Sequence, residues 1–316
     1  MVRAPLRAIY SLFKEAVDAW VEDYAPSMGA ALSYYTLFSI APLLLIAVGV
    51  AGLVFGGQAA RGEIFGQLRE LMGDQGASAA ERLLASADKP EGGLIATTTG
   101  ITLLLLGAMT VFGELQNALD RIWRAPARKS AGWWNLVRSR LLSFGMILGI
   151  AFLLMVSLVL SALLSALGRL WGPAFKEWET AAHFIDVLLS FGMVTVLFAM
   201  IYKFIPRVRI SWRDVWVGAG VTAVLFAVGK FAIGLYLGKS TLASAFGAAG
   251  SLAVMMVWVY YSAQIFLLGA EFTWVYAHAY GSRRGERRPR PGDPARVPQP
   301  SPDGPAHAAR PDYRRA

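Results

Sequence analysis

Six long apolar stretches, at roughly 29–56, 94–115, 141–167, 184–205, 215–237 and 251–277, constrain this chain more than any other feature. Each is near the 20 or so residues that a helix rising about 1.5 Å per residue needs to cross a hydrocarbon core of about 30 Å. A water-soluble helix would instead carry a polar face at every turn. In lipid every backbone polar group must be satisfied within the protein, which leaves helices or a closed barrel. The alternating ten-residue strands of a barrel are absent from the sequence. The reading is therefore all-α: a polytopic bundle of six transmembrane helices. Hydrophobic residues make up 56% of the chain and charged residues 16%, against about 25% charged in a typical soluble domain.

The basic residues set an orientation. With the N-terminus placed in the cytoplasm, Arg3, Arg7 and Lys14, the arginines of 116–140, Arg207, Arg209 and Arg213, and nine arginines after Gly281 all fall inside. The opposite side is left with a sparser set, including Arg61, Arg69, Lys89 and Lys239. Positive residues accumulate on the cytoplasmic side, so both termini are read as cytoplasmic and the location as a bacterial inner membrane.

Four segments flank or interrupt the spans. Residues 1–28 repeat apolar positions at helical spacing (Leu6, Ile9, Tyr10, Phe13, Val17, Trp20) and are expected to form an amphipathic helix. It either lies on the inner leaflet or packs against the bundle. Its acids, Glu15, Asp18, Glu22 and Asp23, argue against a cleavable signal. Residues 57–93 read as an extracytoplasmic segment of two short helices separated near 73–76, either a cap or a plain spacer. Residues 116–140 are a basic cytoplasmic loop in which Arg121, Arg124, Arg128, Lys129 and Arg138 lie beside tryptophans, as lipid-headgroup contacts do. Residues 281–316, with eight prolines and nine arginines, read as a disordered tail near anionic lipid. Nonspecific RNA binding is the weaker reading of that tail, and no specific nucleic-acid partner is expected.

Polar groups inside the spans are functional candidates, because hydrocarbon penalises them. Glu114, Asn117 and Asp120 share one helical face. Asp186, Lys230 and Glu271 lie in spans four, five and six. Depth separates Lys230 from Glu271 by roughly 20 Å, so Lys230 is matched to Asp186 or left to snorkel. Glu271 and Glu114 share the inner level with Arg121, Arg138 and Arg207, forming either a gate or a static clamp of helix ends. Glu271 follows Gly269 and Ala270, small residues that permit close helix approach. In span one, Tyr34, Tyr35 and Ser39 precede Pro42, which should kink the helix; a hydroxyl-lined path or ordinary packing would both fit. Gly49, Gly52 and Gly56 give the same span a close-packing face that would permit a homo-oligomer.

Four stretches together resemble the YihY/BrkB family of bacterial inner-membrane proteins. They are Tyr34-Tyr35-Thr36-Leu37-Phe38-Ser39-Ile40-Ala41-Pro42, Asn117-Ala-Leu-Asp-Arg-Ile-Trp123, Tyr202-Lys-Phe-Ile-Pro206 and Gly269-Ala-Glu-Phe272. The resemblance covers roughly residues 10–280 and implies an integral membrane protein with proposed roles in transport or export at the envelope. It supplies no catalytic residues. An older ribonuclease label on the family finds no chemistry here: the three histidines, His183, His278 and His307, are scattered, and cysteine is absent. A nuclease needs converging acid–base or metal-binding groups, so no metal, cofactor or enzymatic activity is expected. The function expected is a transporter, permease or exporter of a lipid or small amphiphile. The alternative is a non-transporting scaffold that organises lipid or partners through its basic loop and tail.

Overall fold

In the computed structural model, residues 3–87, 110–126, 178–239, 246 and 249–285 are described. All their regular structure is helical. The elements are α1 (Arg3–Glu22), α2 (Ala25–Phe55), α3 (Gly57–Ala87), α4 (110–122), α5 (Trp178–Phe204), α6 (Trp212–Lys239) and α7 (Gly250–Ala279). Within these, Val187–Phe204, Trp212–Lys239 and Gly250–Ala279 are long and apolar enough to cross a membrane. The third predicted span, 141–167, and most of the second lie outside the described residues, as do Arg128, Lys129, Arg138 and the tail beyond 285.

α7 is the axis of the bundle and packs against α1, α2, α3 and α6. Its partnership with α6 is closest because glycine on one helix meets threonine on the other. A Cβ at Gly218 would land on Thr273, and one at Gly269 would land on Thr222. The two hydroxyls fold back onto their own helices, Thr222 Oγ1 to Gly218 O and Thr273 Oγ1 to Gly269 O, both 2.7 Å. Each threonine so satisfied can lie flat against an opposing glycine. The register is antiparallel, with Gly229 of α6 against Tyr261 of α7.

Two apolar cores stack along this axis. One joins Leu12 and Ala16 of α1, Leu119 and Ile122 of α4, Tyr202 of α5, and the facing parts of α6 and α7. The other joins Leu44 and Val48 of α2, Met72 to Leu84 of α3, Ile233 and Leu237 of α6, and Val254 and Met255 of α7. α1 thus docks on the bundle through Leu12 and Ala16, while Ile9, Tyr10, Val17 and Val21 stay exposed as a second apolar stripe. α3 breaks at Gly73 (φ 72°, ψ 173°), a backbone conformation that only glycine adopts without strain, within the stretch expected to separate a pair of short helices.

The helix ends and interruptions bear on three expectations. The helix entering the basic loop does not stop at 115 but continues to 122, so residues 116–122 belong to α4. Gly56 (φ 82°) ends α2, its amide bonded to Gly52 O, and within the chain a Cβ there would touch nothing. α2 also runs through Pro42 as one helix. The side chains of Pro42 and Asp186 lie outside the described residues.

Candidate functional site

The chain turns from α1 into α2 at Tyr24, whose left-handed backbone (φ 57°, ψ 37°) reverses it without a side-chain cap. α4 ends at Arg124, also left-handed (φ 51°). Among the described residues these are the non-glycine positions of positive φ. Such conformations persist where surrounding contacts over-determine them. Here the two corners meet: Arg124 Nη1 donates to Asp23 Oδ1 at 2.6 Å. Asp23 is 1% exposed, so the pair is largely withdrawn from water.

Glu271 of α7 completes the cluster. It is 1% exposed, and the charged groups facing it are Asp23, Arg124 and Glu22. Among the described residues no donor reaches either Glu271 oxygen or Asp23 Oδ2, and Arg124 Nε has no partner. Around this centre, Arg124 lies over Trp274 at 5.9 Å and Arg283 over Trp123 at 5.4 Å. Two buried carboxylates therefore share one guanidinium.

A second polar layer ties the ends of α4 and α5. Asp120 holds Arg207 twice, accepting from its backbone N at 2.8 Å and lying 3.0 Å from Nε through Oδ2. Gln116 Nε2 donates to Ile205 O at 3.1 Å. On α5, the buried Tyr202 hydroxyl donates to Phe266 O at 2.7 Å and lies 3.1 Å from Thr222 Oγ1. The family-like stretches around Asn117, Tyr202 and Gly269 thus meet in one region.

The other candidates are dispersed. Glu114 is half-buried and Asn117 exposed. Tyr34 is exposed and packs edge-on against Tyr35 and Phe38. Ser39 is buried, but its hydroxyl is spent on Tyr35 O at 2.9 Å. Lys230 sits beside the Gly229–Tyr261 level, ten residues of α7 and hence about 15 Å from Glu271. Arg121 is exposed, with its guanidinium 5.3 Å from the ring of Tyr24. Asp23 does not stand out in the sequence, where it reads as one more surface acid of α1.

The family model described as virulence factor BrkB matches residues 16–293. The chain belongs to the BrkB family. Its relatives include a UPF0761 membrane protein of Ralstonia nicotianae, 28% identical over 252 residues, covering 79% of this chain and 55% of the relative. A UPF0761 membrane protein of Verminephrobacter eiseniae is 26% identical over 261 residues, covering 79% and 58%. One of Tolumonas auensis is 29% identical over 185 residues, covering 56% of each. The chain thus spans little more than half the length of the curated relatives it matches. No solved structure matches it. The BrkB match takes in α2 to α7 and the whole buried cluster.

Proposed function

We propose that this BrkB-family membrane protein is a permease or exporter for a lipid or small amphiphile in the bacterial inner membrane. Six helices would cross it, with both termini cytoplasmic and the Asp23–Arg124–Glu271 cluster serving as the inner gate. One observation carries the reading: among the described residues, the two buried carboxyl groups of Asp23 and Glu271 are faced by one guanidinium, that of Arg124. A clamp that only fastens helix ends is served by matched charges, since an unmatched charge out of water costs several kcal/mol. An excess buried acid at the meeting point of three chain segments is what a site with more than one state retains.

The scaffold reading has its own support. Exposed Phe204, Trp212 and Trp216 stack beside Lys203, and Arg121 lies over exposed Tyr24, as residues at headgroup depth do. These contacts would serve a permease and a scaffold equally; the pair of buried acids is what supports the permease. No catalytic role is assigned to any residue.

The test is transbilayer movement of fluorescent phosphatidylethanolamine in proteoliposomes, read by quenching of the outer leaflet. Wild type should move lipid faster than protein-free vesicles, and Glu271→Gln at equal incorporation should fall back to the vesicle rate. If wild type and empty vesicles give equal rates for phosphatidylethanolamine, phosphatidylglycerol and a detergent-like amphiphile, the permease reading is overturned.

A further inference from the structure

The Glu271 carboxylate is buried, no donor among the described residues reaches it, and it faces a second buried carboxylate whose Oδ2 none of them reaches either. The charged groups around it come from three elements. The corner after α1 supplies Glu22 and Asp23, the end of α4 supplies Arg124, and α7 supplies Glu271 itself. Further along α7, His278 Nδ1 is engaged with Trp274 O at 2.8 Å. Among the described residues the buried set therefore comprises two carboxyl groups and one guanidinium. An acid facing an acid is a repulsive contact that becomes a hydrogen bond only when a proton lies in it. Paired carboxyls that cannot both ionise resolve the conflict in that way. Among the described residues no three metal-ligating side chains converge, so a proton matches the set better than a coordinated metal does.

We propose that Asp23 and Glu271 hold a single exchangeable proton between them, and that the exposed carboxylate of Glu22 passes it to and from water. With the proton in place the buried set is neutral: one carboxyl, one carboxylate and one guanidinium. Glu22 is adjacent to Asp23 in the chain, exposed, and also faces Glu271, so it joins the buried pair to solvent. The proton site stands on its own measurement. Only its use, as the ion whose movement drives flux, rests on the permease reading.

The experiment is infrared difference spectroscopy of the full chain in nanodiscs of phosphatidylethanolamine and phosphatidylglycerol at neutral pH. The C=O stretch of a protonated carboxyl is followed through exchange into D2O. Wild type minus Glu271→Gln, and wild type minus Asp23→Asn, should each show the loss of one such band, because either change leaves a matched pair with Arg124. Arg124→Gln should gain a second band, since two carboxylates without a cation need two protons. Glu22→Gln should keep the band and slow its exchange. Each variant is scored after gel filtration and helical circular dichroism match wild type, and either of the first two variants suffices. Difference spectra without a carboxyl band in both would overturn the proton site. A band that appears only when sodium is withdrawn would also overturn it, in favour of a bound sodium ion. A band without lipid movement would leave the proton site standing and remove the permease; movement without a band would do the reverse.

Discussion

At the scale of residues, one arginine between two buried carboxylates makes the three positions unequal. Arg124→Gln leaves two acids without a cation in a region closed to water. It should cost about 3–5 kcal/mol, the range for stranding a buried charge. Asp23→Asn and Glu271→Gln each leave one acid with Arg124 and should cost about 1 kcal/mol or less, within the ordinary range for single substitutions. Thermal unfolding of the purified variants at one pH gives the order, and equal losses at all three positions would contradict it. Glu271 is legible in the sequence because it interrupts an apolar span just after Gly269 and Ala270. Asp23 is not, since in one dimension it stands beside Glu22 at the end of a charged helix. Arg124 misleads for a related reason. Its neighbours Arg121 and Arg128 and nearby tryptophans suggest a lipid-facing row, whereas its left-handed backbone turns it inward to Asp23. That contact spans 101 positions, and no local pattern encodes it.

At the scale of elements, the α6–α7 interface depends on where methyl groups are missing. Gly218→Ala and Gly269→Ala each put a carbon where threonine already sits, and overpacking of this kind costs about 1–3 kcal/mol. Gly220→Ala, where a Cβ meets nothing within 4 Å, should be neutral or slightly stabilising, as alanine is the better helix former. A thermal series of the three in one detergent checks both signs. The helices themselves are legible in the sequence: the apolar runs at 215–237 and 251–277 match α6 and α7 to within three residues at each end, and the run at 184–205 ends with α5, which starts earlier, at Trp178. The packing face is less so. A Gly-x-x-x-Gly pattern draws attention to Gly52 and Gly56, where the second glycine ends a helix, while Gly218 and Gly229 carry no pattern of their own. Whether a glycine packs or terminates depends on the φ it takes and the side chain opposite, and neither is a property of spacing.

At the scale of the whole molecule, the proposed crossing pattern puts the start of α3 and the end of α7 on opposite sides of the membrane. The chain contains no cysteine, so single cysteines report cleanly. Gln58→Cys and Arg284→Cys are both at exposed positions. In intact cells an impermeant maleimide should label the first, and it should reach the second only after permeabilisation. Labelling of both from outside would reverse the assignment of the C-terminus.

The glycine–threonine interlock has a mechanical consequence. α6 and α7 mesh too closely to slide past one another, so they act together as the fixed frame of the molecule. α1 touches that frame through Leu12 and Ala16, flanked by Phe13 and Trp20, and the corner that follows it is held by Arg124 on Asp23 and Arg121 over Tyr24. In the proposed permease, movement at the buried cluster would therefore come from α1 and its corner rather than from α6 sliding on α7.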